Sequence, residues 1–126
     1  MATILLVDGN SLQALLRKSI LERRFPDVQR VTGAAEALCL VEQSQFSARL
    51  ALVICSSQMT GIDAPEFVAE LRSRLPWLPV LVLGGEDETA SDYADELVRF
   101  LPRATAPEEM LAAASRLLLE RERKTA

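Results

Sequence analysis

Apolar residues follow two alternating patterns along this chain, short solid runs and stretches with helical spacing. Solid runs at residues 4–7, 50–55 and 80–83 predict buried strands, residues 28–32 predict a weaker one, and residues 97–101 predict the last. A helix is predicted after each strand. Five strands alternating with five helices predict an α/β fold, a doubly wound five-stranded parallel sheet covered on both faces.

The predicted helices have start signals and apolar faces. Asn10 or Ser11 can cap the first helix, and Pro65 and Pro107 suit the first turns of later ones. On the first helix, the basic residues Arg17, Lys18, Arg23 and Arg24 are predicted to face mostly outward. The residues predicted to face inward are Leu12, Leu15, Leu16 and Ile20, then Ala37, Leu38 and Val41, then Phe67, Val68 and Leu71, and finally Leu111, Ala114 and Leu118.

Two segments stand out by charge. Residues 86–96 contain six acidic and no basic residues, which predicts a short, weakly held helix or an exposed loop. The mixed charges near the C-terminus predict a solvated tail or the start of a linker. The expected organisation is therefore one domain over residues 1–120 and a charged tail over 121–126.

Composition excludes several function classes. The chain has 126 residues, 49% apolar and 25% charged, which is typical of one globular domain. A net charge of −4 gives no basic footprint for nucleic acid. The absence of histidine removes histidine-based triads and most zinc sites. We therefore expect no cofactor, no metal and no nucleic-acid partner.

Neither the N-terminus nor the cysteines indicate export. The first residues lack the basic region of a signal peptide, and no run approaches eighteen apolar residues. Cys39 and Cys55 lie in apolar stretches and are predicted to be reduced core residues. A cytoplasmic protein with no membrane partner is expected.

Ligands of open parallel sheets bind where the strands end. The candidate site residues are therefore those at the loop starts after the first, third, fourth and fifth strands. They are Asp8, Gly9, Ser56, Ser57, Gly84, Gly85 and Arg103.

Several segments resemble the receiver domain of bacterial two-component response regulators, and together they cover nearly the whole chain in the right order. The segments are residues 4–8 (ILLVD), 52–63 (LVICSSQMTGID), 75–83 (LPWLPVLVL), 100–103 (FLPR) and 107–111 (PEEML). The resemblance implies a flavodoxin-like, CheY-like (βα)5 receiver fold.

The resemblance also implies a phosphorylation pocket, which this chain has largely lost. The family's phosphoryl-accepting aspartate falls on Ser56, as the landmark Met59-Thr60-Gly61 shows. Asp8 keeps the first of two acidic Mg²⁺-binding positions. Three further positions carry Gly9 for the second acid, Gly84 for a hydroxyl residue and Arg103 for a lysine, while Phe100 matches the aromatic switch position.

These losses predict that aspartyl phosphorylation is absent. Phosphoryl transfer needs an ionised nucleophile and a cation that neutralises the transferring oxygens. The Ser56 hydroxyl is not ionised at neutral pH, and Asp8 is the one carboxylate left for Mg²⁺. The leading hypothesis is a non-enzymatic pseudo-receiver that binds a protein partner: a kinase-like protein, an output domain or a second copy.

Alternatives remain open. A small-molecule or anion sensor could use the same cleft, with Arg103, Ser56 and the amino end of the first helix as its anion site. A phosphorelay receiver could use a displaced acceptor, for which Asp63 is the nearest aspartate in sequence. An electron-transfer flavodoxin-like protein fits the topology, but no flavin loop is evident.

Charge leads to two more specific expectations. Asp8 and Arg103 would cancel in the degenerate pocket, so we predict an ion pair between them and no bound Mg²⁺. Any homodimer is predicted to avoid the acidic segment 86–96, because like charges would meet across a symmetric contact. The basic face of the first helix is the alternative surface, for a second copy or an acidic partner.

Overall fold

A single parallel sheet organises the chain, and the computed structural model describes residues 2–57, 59–84, 96–102 and 106–125, with side chains through residue 122. Its strands are β1 (Thr3–Val7), β2 (Val28–Val31), β3 (Leu50–Ser56), β4 (Val80–Leu83) and β5 (Val98–Leu101). They pair in the order β2-β1-β3-β4-β5, and every pairing is parallel. The predicted five-stranded α/β fold is confirmed.

Helices connect these strands. Those in the described residues are α1 (Ser11–Leu21), α2 (Ala34–Val41), α3 (Ser44–Arg49), α4 (Ala64–Arg74) and α5 (Pro107–Thr125). The short α3 was not predicted, because Phe46 is its one buried residue and gives no helical pattern. The acidic segment lies outside the described residues except for Glu96.

The sheet separates two hydrophobic cores, because successive strand residues point to opposite faces. On one side, alternate strand residues pack with α2, α3 and α4; they include Leu5, Val7, Val53, Cys55, Val80 and Val82. On the other side, the intervening residues pack with α1 and α5; they include Ile4, Leu6, Leu52, Ile54, Leu81 and Leu83. This two-sided burial explains the solid apolar runs of the sequence.

The inward face predicted for α1 is wrong for its three leucines and holds for Ile20. Leu12, Leu15 and Leu16 are exposed, while Ala14 and Leu21 are buried against the sheet. Ile20 is partly buried. The buried face of α1 is thus not the face that carries its three leucines. The cause is a contact of α1 with the residue that follows β1.

The prediction for Cys39 is also wrong, whereas that for Cys55 is confirmed. Cys55 is a buried strand residue, and Cys39 is an exposed one on α2; both are free thiols. The buried residues of α2 are Ala34, Ala37 and Val41, so position 39 lies on the opposite side of that helix. In the described part of the chain, no helix is long and apolar enough to cross a membrane.

A close backbone contact holds the loop after β3 against the loop after β2. The Ala34 N–H donates to the carbonyl oxygen of Thr60 at 3.0 Å, and the Thr60 N–H donates to the carbonyl oxygen of Thr32 at 3.3 Å. A Cβ on Gly33 would lie 2.6 Å from the Thr60 carbonyl oxygen. Gly61 follows with a φ of 100°, which favours glycine. These two glycines let the loop turn tightly beside the site.

Replacing Gly33 by alanine therefore tests the contact. The added methyl group collides with backbone, so we expect Gly33→Ala to lower the free energy of unfolding by about 1–3 kcal/mol in urea titrations. Ala35→Ser, at an exposed position two residues away on α2, should change it by less than about 0.5 kcal/mol. A Gly33→Ala protein as stable as the original would contradict the contact.

Candidate functional site

The candidate site lies where β1, β3 and β4 end side by side. Val7 pairs with Cys55 and Ser56 pairs with Leu83, so Asp8, Ser56 and Gly84 follow one another along this edge. The Ser57 N–H donates to the Leu83 carbonyl oxygen at 3.0 Å, which extends the pairing one residue past β3. Because the carboxyl ends of parallel strands lie at one edge of the sheet, three of the predicted site residues lie together there.

Asp8 is fully buried, and both oxygens of its carboxylate are engaged. Oδ1 accepts the Asn10 N–H at 2.9 Å, and Oδ2 accepts Nη1 of Arg17 at 2.9 Å. Asn10 in turn caps α1, because its Oδ1 accepts the Gln13 N–H at 2.9 Å. The one acidic residue kept from the family pattern is therefore part of an internal ion pair.

A second arginine binds the backbone at the same residue. Arg30 of β2 donates through Nε at 3.1 Å and Nη2 at 2.7 Å to the carbonyl oxygen of Asp8. Its guanidinium fork spans that one oxygen and fixes the turn that leaves β1. Arg17 thus binds the carboxylate of Asp8, and Arg30 binds its main-chain carbonyl oxygen.

Burial and the neighbouring carboxylate have opposing effects on the pKa of Arg17. The Arg17 side chain is 20% exposed, and desolvation lowers the pKa of its guanidinium; the Asp8 charge and hydrogen bond act in the opposite direction. Arginine still remains charged throughout the physiological range. The pair is therefore a permanent feature of the site at neutral pH.

The donor set at this edge does not fit Mg²⁺. Gly9 supplies no side-chain ligand, Ser56 is 2% exposed, and the Asp8 carboxylate is already neutralised by Arg17. Within the described ranges, no three His, Cys, Asp or Glu residues cluster so as to hold a metal ion. A divalent cation would have to displace an internal arginine to reach a single carboxylate.

The remaining predicted positions have mixed outcomes. Gly84 is buried, and its N–H donates to the Leu101 carbonyl oxygen at 2.9 Å. Phe100 is half-buried and packs against the core on the α2–α4 side. Gly85 and Arg103 lie outside the described residues, so the Asp8–Arg103 pair stays a prediction.

Asp63, the alternative phosphoryl acceptor, has a local structural role. It is exposed and caps α4, since its Oδ1 accepts the Glu66 N–H at 3.0 Å. Removing that oxygen would leave an N-terminal donor of α4 without its cap. The side chain therefore has a role that needs no phosphoryl group.

Sequence reasoning missed Arg17, which it placed outward. The signal was present, because Ala14, Arg17 and Leu21 share one helical face at spacings of three and four residues. An arginine on the stripe that faces the sheet needs an anionic partner, and Asp8 lies directly before α1. The leucine-rich pattern on the other side of the helix concealed this signal.

The two partners of the pair should respond unequally to mutation. Arg17→Met leaves a buried carboxylate without its cation, so we expect the free energy of unfolding to fall by about 3 kcal/mol. Asp8→Asn should cost less, because Arg17 can turn its partly exposed guanidinium to water. Urea titrations of both single variants and of the double variant measure the difference and the coupling. Equal losses, or additive ones, would contradict a direct pair.

Comparison with known proteins identifies the fold. No protein-family model matches the chain, and no curated protein matches its sequence. A response regulator receiver domain protein from Clostridium thermocellum superposes with a TM-score of 0.86 at 18% identity, over 97% of this chain and 98% of that one. A CheY-like receiver domain protein from Methanospirillum hungatei JF-1 gives a TM-score of 0.83 at 18% identity, over 98% of each chain.

A larger protein shows the same domain as one part. A probable two-component system response regulator/GGDEF domain protein matches with a TM-score of 0.83 at 24% identity. The match covers 97% of this chain and 51% of that one, so this chain spans about half its length. The predicted resemblance is confirmed at the level of the fold: the chain has the CheY-like fold of response regulator receiver domains.

Proposed function

We propose that this chain is a degenerate receiver, a pseudo-receiver, that acts in cytoplasmic signal transduction by binding a protein partner without aspartyl phosphorylation. The observation that carries the proposal is the 2.9 Å ion pair between Arg17 and Asp8. Phosphorylation needs a cation near that carboxylate, and the carboxylate is already paired with an arginine of the chain itself.

The acceptor position supports the same conclusion. Ser56 ends β3 where the family has its aspartate, and 2% of its surface is exposed. A buried hydroxyl needs a base to become a nucleophile, and the chain has no histidine. The Asp8 carboxylate at the same edge of the sheet is already paired with Arg17. Neither the nucleophile nor its activation is therefore provided.

Without phosphorylation, the role that remains for this fold is non-enzymatic binding of a protein. The GGDEF-domain protein with the same fold has about twice the length of this chain. A receiver in such an arrangement communicates through its surface with another domain. We propose that the partner here is likewise a protein, either an output domain on the same polypeptide or a separate signalling protein.

The test is an amide NMR titration with millimolar Mg²⁺, followed by beryllofluoride as a phosphoryl mimic. We expect no saturable shifts at Asp8 or Ser56, and no added phosphoryl mass after incubation with a small phosphodonor. Phosphate added alone provides the anion-sensor comparison. Saturable shifts from phosphate at these residues would favour the sensor hypothesis.

A variant with the lost groups restored serves as the positive control. Gly9→Asp, Ser56→Asp and Arg17→Gln together supply two carboxylates and remove the internal cation. We expect this variant to bind Mg²⁺ with shifts at Asp8 and position 56, since the fold itself matches receivers. Mg²⁺ binding by the unmodified chain with comparable affinity would disprove the proposed function.

A further inference from the structure

A recess lies between α1 and α5, at the end of the sheet where β4 and β5 stop. It has a volume of about 230 Å³. Its apolar walls include Leu16 and Ile20 of α1, Leu83 of β4 and Met110 of α5. At the packing density of protein interiors, a space of this size holds a molecule of about ten to twelve non-hydrogen atoms. The recess is therefore the size of one bicyclic ring system.

Gly84, Pro102 and Pro107 also line the recess, and they give it rigid backbone walls. The two proline rings fix their own φ angles and have no backbone N–H. The Gly84 N–H already donates to the Leu101 carbonyl oxygen at 2.9 Å. These three residues thus offer a ligand no free backbone donor, and polar recognition in the recess depends on side chains.

One polar atom of the recess has no partner. Gln13 of α1 contributes to the lining. Its Oε1 atom is buried and accepts no hydrogen bond in the part of the chain that the structure describes. A buried acceptor without a donor costs free energy, which a ligand's N–H group would recover. The recess therefore favours a ligand that carries a hydrogen-bond donor.

Arg17 provides a second polar group beside the first. It follows Gln13 by four residues, so the two side chains are neighbours on one face of α1, and both line the recess. Nη1 of Arg17 donates to Asp8, and the guanidinium has further N–H groups. The Arg17 side chain is 20% exposed. A ligand with an acceptor next to its donor can therefore bind both side chains at once.

The charge of Arg17 is already balanced. It pairs with the buried Asp8 carboxylate at 2.9 Å, and the two formal charges cancel. The other described residues that line the recess are uncharged. An anionic ligand would compete with Asp8 for one guanidinium and would be repelled by its carboxylate. The recess therefore favours an uncharged ligand.

We propose that this recess binds an uncharged bicyclic small molecule with a hydrogen-bond donor and an acceptor adjacent on one edge, as in a cyclic amide. The ring system packs between α1 and α5, against Leu83 and Met110. Its N–H donates to Oε1 of Gln13, and its carbonyl oxygen accepts a hydrogen bond from Arg17. Binding involves neither a metal nor a phosphoryl group, so the inference does not rest on the proposed function.

The experiment titrates the full chain with bicyclic probes of one shape. Oxindole has the N–H and the carbonyl side by side, 2-indanone has the carbonyl alone, indoline has the N–H alone, and indane has neither. NMR follows the backbone amides and the side-chain N–H signals of Gln13 and Arg17. We expect oxindole to saturate at low millimolar concentration, and each of the other probes to bind at least about threefold more weakly.

Two results of these titrations would overturn the proposal. One is the absence of saturation by oxindole at millimolar concentration, which is expected if only water enters the recess. The other is binding of 2-indanone as tight as that of oxindole, because 2-indanone replaces the N–H by a methylene group and cannot donate to Gln13.

A charged probe tests the expected preference for an uncharged ligand. Indane-2-carboxylate keeps the bicyclic ring and carries a full negative charge. We expect it to bind at least about threefold more weakly than oxindole, because Asp8 repels it. Binding of indane-2-carboxylate that equals or exceeds that of oxindole would assign the recess to anions and refute the proposed class of ligand.

Variants locate the binding site. Gln13→Met removes the acceptor and keeps the length of the side chain, so oxindole should lose its advantage over 2-indanone. Gln45→Met makes the same change at an exposed position of α3 and should retain that advantage. Ile20→Trp fills the recess and should weaken oxindole binding about tenfold or more. A Gln13→Met protein that still prefers oxindole to 2-indanone would contradict the assigned contact.

The two proposals can fail separately. The Mg²⁺ and beryllofluoride titration reports on Asp8 and Ser56, whereas the bicyclic probes report on the side chain of Gln13. Mg²⁺ binding by the unmodified chain would disprove the proposed function and leave the oxindole result standing. Failure of oxindole to bind would disprove the ligand site and leave the proposed function intact.

Discussion

The ion pair between Arg17 and Asp8 is the interaction on which the site and the surface both depend. A carboxylate buried at the end of β1 requires a compensating cation, and this chain takes one from its own first helix. Because Arg17 shares a face with Ala14 and Leu21, bringing its guanidinium to Asp8 determines which side of α1 lies on the sheet. The leucines on the other side must then face solvent. The buried ion pair and the exposed leucines thus follow from one orientation of α1.

The sequence was sufficient to predict the sheet, because strands buried on both faces are solidly apolar and tolerate few alternatives. It was also sufficient to place Asp8, Ser56 and Gly84 at one edge, since parallel strands end together. The rotation of α1 could not be obtained in this way. A hydrophobic pattern assigns leucines to the core, and only the demand of a buried charge on a neighbouring element reverses that assignment. The prediction that Cys39 is buried was wrong for a similar reason, because apolar neighbours in the sequence do not specify which face of a helix a residue lies on.

The sequence shows which groups of a receiver pocket are missing from this site. The structure was needed to identify the residues that balance the charge of Asp8 in their absence. Counting charges indicated that Asp8 needs a cation once two carboxylates are missing. It did not identify Arg17, or the contact of Arg30 with the Asp8 carbonyl oxygen. Both arginines reach the site from elements that flank β1 in space rather than from the loop starts themselves. Candidate residues taken only from strand ends therefore omitted Arg17 and Arg30, while the predicted contact with Arg103 lies outside the described residues.

A receiver that is phosphorylated gains negative charge at its pocket, whereas under the proposed function the internal pair of Arg17 and Asp8 keeps the charge of this pocket constant. Arg17 stays protonated at neutral pH, and the two Asp8 oxygens accept hydrogen bonds from it and from the Asn10 N–H. A ligand can shift a conformational equilibrium only by its different affinity for the two states, and under the proposed function a phosphoryl group is not such a ligand here. Under the proposed function, the surface of α1 is therefore presented constantly. Under that function, regulation comes from the partner, through its abundance or its own modification.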